Sequence, residues 1–155
     1  MIQIEIVSQQ NLLQPDLEQM THSVQQVFES HGRNSGELSV ILLDNEAIHQ
    51  ANRQHLKHDY PTDVITFDLS DPEDPDHSID GEILISAEYA QEMAGNAGWP
   101  AEHELLLYLV HGALHLCGFD DLTDEDRVVM RQQERLAFQL LQLPEPPIID
   151  SACFE

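Results

Sequence analysis

Bases are scarce in this chain. Six lysines and arginines stand against 29 acids in 155 residues, a formal net charge of −23. A field of that sign repels nucleic acid at long range and argues against general binding of DNA or RNA through a basic surface. It leaves room for a local cationic spot, built from Arg33, Arg53, Lys57, Arg127, Arg131 or Arg135. Cysteine is nearly missing. Cys117 and Cys153 are too few for a disulfide scaffold and point to a reducing, cytoplasmic setting. No apolar run reaches the roughly 18 residues a membrane helix needs. The start, Met1 to Val7, alternates apolar and polar residues and lacks a basic leader, so no export signal is expected. No glycine-rich phosphate loop and no serine nucleophile elbow occur, which leaves nucleotide binding and serine hydrolysis without support.

What is present is a regular alternation of elements. Residues 2–7 read as a half-buried strand. Pro15 and Asp16 open a helix to about His31, with Leu17, Met20, Val24, Val27 and Phe28 at helical spacing. Leu38–Leu43 is a short continuous apolar run, a buried strand, and Asp44 then caps a helix carrying Ala47, Ile48 and Ala51. Val64–Phe67 and Gly81–Ser86 are strands expected to pair as a hairpin across the acidic stretch Asp68–Asp80. That loop has few apolar anchors and is expected to be mobile.

Three helices come next. One spans Ala87–Ala97 and stops at Gly98; the next starts at Pro100; the last is capped by Thr123, with Asp126 three residues on. Val128, Val129, Leu136, Leu140 and Leu141 are assigned to the core face of that last helix. The order predicts an α+β fold: a small mixed four-stranded sheet layered with about five helices. It forms a single domain over residues 1–145, with a tail at 146–155.

The chemistry concentrates at Val110-His111-Gly112-Ala113-Leu114-His115-Leu116-Cys117-Gly118-Phe119-Asp120-Asp121. The preceding run, Leu105 to Leu109, is the most apolar in the chain, so its helix is buried on most sides. His111 and His115 are four apart and lie within about 40° on one face. Gly118 stops the helix, and Asp120 and Asp121 come after it, where the chain can turn back. Two imidazoles and a carboxylate make a three-donor site for one Zn²⁺ with a position left open. Cys117, two residues beyond His115, points elsewhere. Arg127, Arg131 and Arg135 recur every four residues, and ion pairing with acids such as Glu134 accounts for them.

These residues resemble a known family. His111–Asp120 is similar to the H-G-x-L-H-L-x-G-[YF]-D-H signature of the YbeY family of bacterial rRNA maturation factors. Pro61-Thr62-Asp63-Val64-Ile65-Thr66-Phe67 resembles its P-T-D-V-L-S-F motif, and Gly81-Glu82-Ile83-Leu84-Ile85 its G-[DE]-I-x-I motif. The likeness covers roughly Leu38 to Leu141. It implies a zinc-dependent endoribonuclease specific for single strands. It implies partners in rRNA and the small ribosomal subunit, with ribosomal proteins besides, and no membrane or DNA. The implied work is maturation of the small-subunit rRNA 3′ end and ribosome quality control.

Two positions depart from the pattern. Asp121 stands where the family's third ligand is histidine, which makes a bound metal a weaker Lewis acid by adding negative charge. Leu56 stands where the family has arginine, and Arg53 and Lys57 are the nearby candidates for phosphate contact. The expected ligands are therefore His111, His115 and Asp121, with Asp120 orienting one of them and Thr62 and Asp63 shaping the turn. A zinc-peptidase reading lacks its general base, because Gly112 occupies the position after the first histidine. The non-enzymatic alternative is a ribosome assembly factor that binds the immature small subunit.

Overall fold

The computed structural model describes residues 1–53 and 64–147. Their order is β1 (Gln3–Ser8), α1 (Leu17–Ser30), β2 (Gly36–Leu43), α2 (Asn45–Ala51), β3 (Val64–Asp68), β4 (Ile79–Ser86), α3 (Ala87–Ala97), α4 (Ala101–Leu116) and α5 (Asp124–Leu140). The expected α+β class, four strands and five helices are what the described residues contain. Expectations for Leu56, Lys57, Pro61, Thr62 and Asp63, and for the tail beyond Pro147, fall outside the described residues.

The sheet runs β1-β2-β4-β3. β1, β2 and β4 are parallel, as strands joined through helices must commonly be, whereas β3 and β4 form the anticipated antiparallel hairpin. Side chains alternate across it. Leu38, Val40, Leu42, Ile83 and Ile85 face α1 and α4 in the main core; Leu43, Ile65 and Leu84 face Ile48 of α2 in a smaller cluster on the other side. α4 fills the centre of the main core. Leu105, Leu106, Leu107, Tyr108, Leu109, Val110, Ala113 and Leu114 are all buried. At about 1.5–3 kcal/mol for each large side chain, this helix is the chief contributor to the core.

Local chemistry sets the element ends. Asp16, Asp44, Ser86 and Thr123 each accept a backbone N–H in the first turn of the helix they precede. Pro100 is the cap of α4 rather than its first residue. The acidic Asp68–Asp80 loop folds through its own carboxylates. Asp68, Asp71 and Asp74 accept from the backbone N–H of Ser70, Glu73 and Asp76.

The expected core face of α5 is a clear miss. Val128, Val129, Leu136 and Leu140 are exposed; of the five assigned residues, Leu141 alone packs against the core. The buried positions are Met130, Glu134, Ala137 and Phe138. These keep a four-three-one rhythm, and that rhythm is broken to the eye because a glutamate occupies it.

Candidate metal centre

α4 carries its two histidines at the end that meets the surface. His111 is buried at 4% exposure, and the His115 side chain is 24% exposed. Gly118 takes φ +102, the left-handed turn that a glycine accepts without a Cβ clash. Gly118 N–H then donates to the His115 carbonyl and Phe119 N–H to the Leu114 carbonyl, closing the helix. Arg33 donates to the Cys117 carbonyl at 3.2 Å, and the His31 ring meets Phe119 edge-on. The turn so fixed returns Asp121 to the histidine face.

Three donor residues converge there. His111 Nε2 lies 3.1 Å from His115 Nε2 and 3.3 Å from Asp121 Oδ2; His115 Nε2 lies 3.6 Å from Asp121 Oδ1. Metal–donor bonds of about 2.0–2.1 Å at tetrahedral angles place donors roughly 3.3–3.4 Å apart. The observed spacings bracket that edge length. His111, His115 and Asp121 could therefore hold a metal ion, and they are the group of donors that clusters so among the described residues. Cys117 is not among them.

The structure adds a residue that sequence reasoning missed in this role. Glu134, 2% exposed, takes the His111 Nδ1–H on Oε2 at 2.7 Å and the Arg131 guanidinium on Oε1 at 2.7 Å. An ionised carboxylate only accepts, so the proton sits on Nδ1 and the Nε2 lone pair is left toward the donor cluster. The expected pairing of the arginine stripe holds: Arg131 meets Glu134, Arg127 meets Asp124, and Arg135 meets Glu145. A further buried acid, Glu104, accepts from Trp99 Nε1 at 2.6 Å.

Electrostatics suit the donors to a cation. When His111 is protonated on both ring nitrogens, its Nε2–H bonds Asp121 and holds that carboxyl below its ordinary value against partial burial, helped by charge on His111, His115 and Arg127; a metal ion would take the place of the Nε2 proton. Burial, then the neighbouring His111, pushes His115 down, which favours its neutral, ligand-competent form. Asp120 stands at the rim: its Oδ1 is 4.0 Å from His115 Nδ1, beyond hydrogen-bond reach, and its side chain is 58% exposed. Arg53 comes just after α2, with Nη2 3.4 Å from His49 Nε2.

Gly112 shows why no glutamate stands after the first histidine. A Cβ built there would lie 3.0 Å from Ile83 Cδ1 and 3.0 Å from Thr66 Oγ1. α4 presses its backbone onto β3 and β4 at this point, so a long acid would have to enter the packed core.

Comparison with known proteins agrees with the geometry. The family model described as endoribonuclease YbeY matches residues 3–142. The endoribonuclease YbeY of Rhodopirellula baltica is 42% identical over 119 residues, covering 74% of this chain and 59% of that protein. That of Phocaeicola vulgatus is 34% identical over 131 residues, covering 83% and 92% respectively. The solution structure of TM1509 from Thermotoga maritima superposes with a TM-score of 0.63 at 25% identity, covering 92% of each chain. With its signature histidines, sheet and helices all in the matched span, this chain belongs to the YbeY endoribonuclease family.

Proposed function

We propose that this protein is a zinc-dependent endoribonuclease that cuts single-stranded RNA, with one Zn²⁺ held by His111, His115 and Asp121. The observation that carries the reading is the convergence of two imidazoles and the Asp121 carboxylate, with nitrogen–nitrogen and nitrogen–oxygen distances of 3.1–3.6 Å, at the end of a buried helix. Bound there, a zinc ion would polarise a phosphate oxygen or lower the pKa of water. The chain's own residues do the rest. Glu134 fixes the His111 tautomer, the Gly118 turn presents Asp121, and Asp120 adds negative charge beside His115. The substrate is that of the family: rRNA, at the 3′ end of the small-subunit RNA and in ribosome quality control, in the cytoplasm. Arg53 and Lys57 are assigned to phosphate contact.

The test is cleavage of a labelled single-stranded RNA and of the same strand annealed to its complement. Chelator-stripped protein should be inactive, regain activity with zinc, and spare the duplex. Full activity in His111→Ala/His115→Ala protein would refute the assignment. The charge of −23 favours one second reading, an assembly factor that meets basic ribosomal proteins. In cells lacking the protein, restoration of rRNA processing by the double-alanine variant would establish that reading in place of catalysis.

A further inference from the structure

An RNA phosphate that reaches the triad must cross a strongly acidic margin. Between positions 120 and 126 the chain carries Asp120, Asp121, Asp124, Glu125 and Asp126 and no base. The first cation after them is Arg127. On α5, Arg127 and Glu134 are seven residues apart, so they project within about 20° of each other and roughly 10 Å apart along the axis. Glu134 is hydrogen-bonded to His111. Arg127 thus lies on the same helix face, displaced toward the end where α5 joins Asp121.

Of the other described bases, three are committed elsewhere, and Arg53 is already assigned to phosphate contact. Arg33 donates to the His77 and Cys117 carbonyls, Arg131 to the buried Glu134, and Arg135 meets Glu145 at 3.7 Å. Arg53 lies beside His49. Arg127 pairs with Asp124, whose side chain is 98% exposed, so that pair is solvated and readily exchanged. Its charge is felt at Asp121.

Resting on the endoribonuclease reading above, we propose that Arg127 is a phosphate-binding residue of this chain, leaving Asp124 to hold a backbone phosphate of single-stranded RNA beside the His111–His115–Asp121 cluster. The guanidinium offers paired donors matched to two phosphate oxygens. The assignment gives the acidic protein a cation beside its donor cluster.

The experiment is salt-dependent binding of a fluorescent single-stranded oligodeoxynucleotide to the zinc-loaded protein, monitored by anisotropy. A DNA strand presents the same phosphates and is not the substrate of an endoribonuclease. Each phosphate contact adds about 0.7 to the slope of log affinity against log salt for single strands. Arg127→Ala should lower the slope by about 0.7 and weaken binding roughly fivefold at about 50 mM salt. Arg127→Lys should restore most of the slope. Arg135→Ala, about 80° round the helix, removes the same charge and should leave the slope unchanged.

Wild type that cleaves RNA and binds the strand, with the slope unaltered in Arg127→Ala, overturns the role of Arg127 alone. An equal fall in Arg135→Ala overturns it too, since the effect is then one of net charge. Wild type that neither cleaves nor binds overturns the endoribonuclease reading itself.

Discussion

Replacing Glu134 by glutamine removes one charge and almost no volume, yet it should weaken both the fold and the metal site. The carboxylate accepts twice: from His111 Nδ1–H on one oxygen and from Arg131 on the other, both at 2.7 Å. Glutamine has one oxygen and one NH₂, so one of the two donors must face a donor. Arg131 is 27% exposed on its side chain and can rehydrate; His111 is buried and cannot. If the amide keeps His111, Arg131 is driven outward; if it keeps Arg131, the imidazole loses the partner that fixes its tautomer. Either way the metal-free fold loses about 1–3 kcal/mol.

Metal affinity should fall tenfold to hundredfold, the usual cost of removing the carboxylate behind a ligating histidine, or about 1.4–2.8 kcal/mol. The assay is zinc titration against a chelator of known affinity, with thermal melts of the stripped protein alongside. Arg131→Gln, which leaves the His111 bond intact, should cost less affinity than Glu134→Gln. A Glu134→Gln protein that binds zinc within threefold of wild type would refute the reasoning.

Asp121→His supplies a third neutral donor in place of a carboxylate; the protein should retain metal and cleave RNA faster at neutral pH, measured on the zinc-loaded enzyme, and a slower variant would contradict the charge argument. Burial pushes the Cys117 thiol up to about 11 from 9.0. At about pH 8 its thiolate fraction is then roughly a hundredfold lower than that of an ordinary thiol, so iodoacetamide should label Cys117 about a hundredfold more slowly in the folded than in the unfolded chain, as read by peptide mass spectrometry. Burial raises the Glu104 carboxyl above 4.5. The folded state then holds a proton that the unfolded state has released, so the contribution of Glu104 to stability falls as pH rises from about 4.5 through the folded value. Glu104→Gln keeps an acceptor for Trp99 and removes that dependence, so its Tm relative to wild type should increase from about pH 4.5 to 8.

The fold was largely readable because its local signals agree with its packing. Asp16, Asp44 and Thr123 stand where caps are needed, Gly98 and Gly118 where helices stop, and the apolar run of α4 is too continuous for any place but the centre. The histidine pair was readable for the same reason, since four-residue spacing fixes a shared face. Glu134 was not read as part of the site, because it comes from a different helix 23 residues after His111. A signal existed. Glu134 is in phase with Met130, Ala137, Phe138 and Leu141, and a charged residue inside a core stripe needs a buried partner. Counting apolar residues picked out Val128, Val129, Leu136 and Leu140 instead, which are valine and leucine by type but lie on the solvent side. The geometry of Asp120 was hidden too. Spacing alone does not separate two adjacent acids after a helix stop; the family resemblance picks Asp121, and the left-handed turn at Gly118 brings it to both histidines while leaving Asp120 at the rim.

The central claim is that His111, His115 and Asp121 together form one metal centre. Native mass spectrometry of chelator-stripped protein titrated with zinc tests it most directly, with Asp121→Ala and His111→Ala/His115→Ala measured beside wild type. A centre of these three donors predicts one zinc per wild-type chain, a weakened complex without Asp121, and none without the two histidines. A wild-type chain that takes up no zinc, or a double-alanine variant that takes up as much, would contradict it.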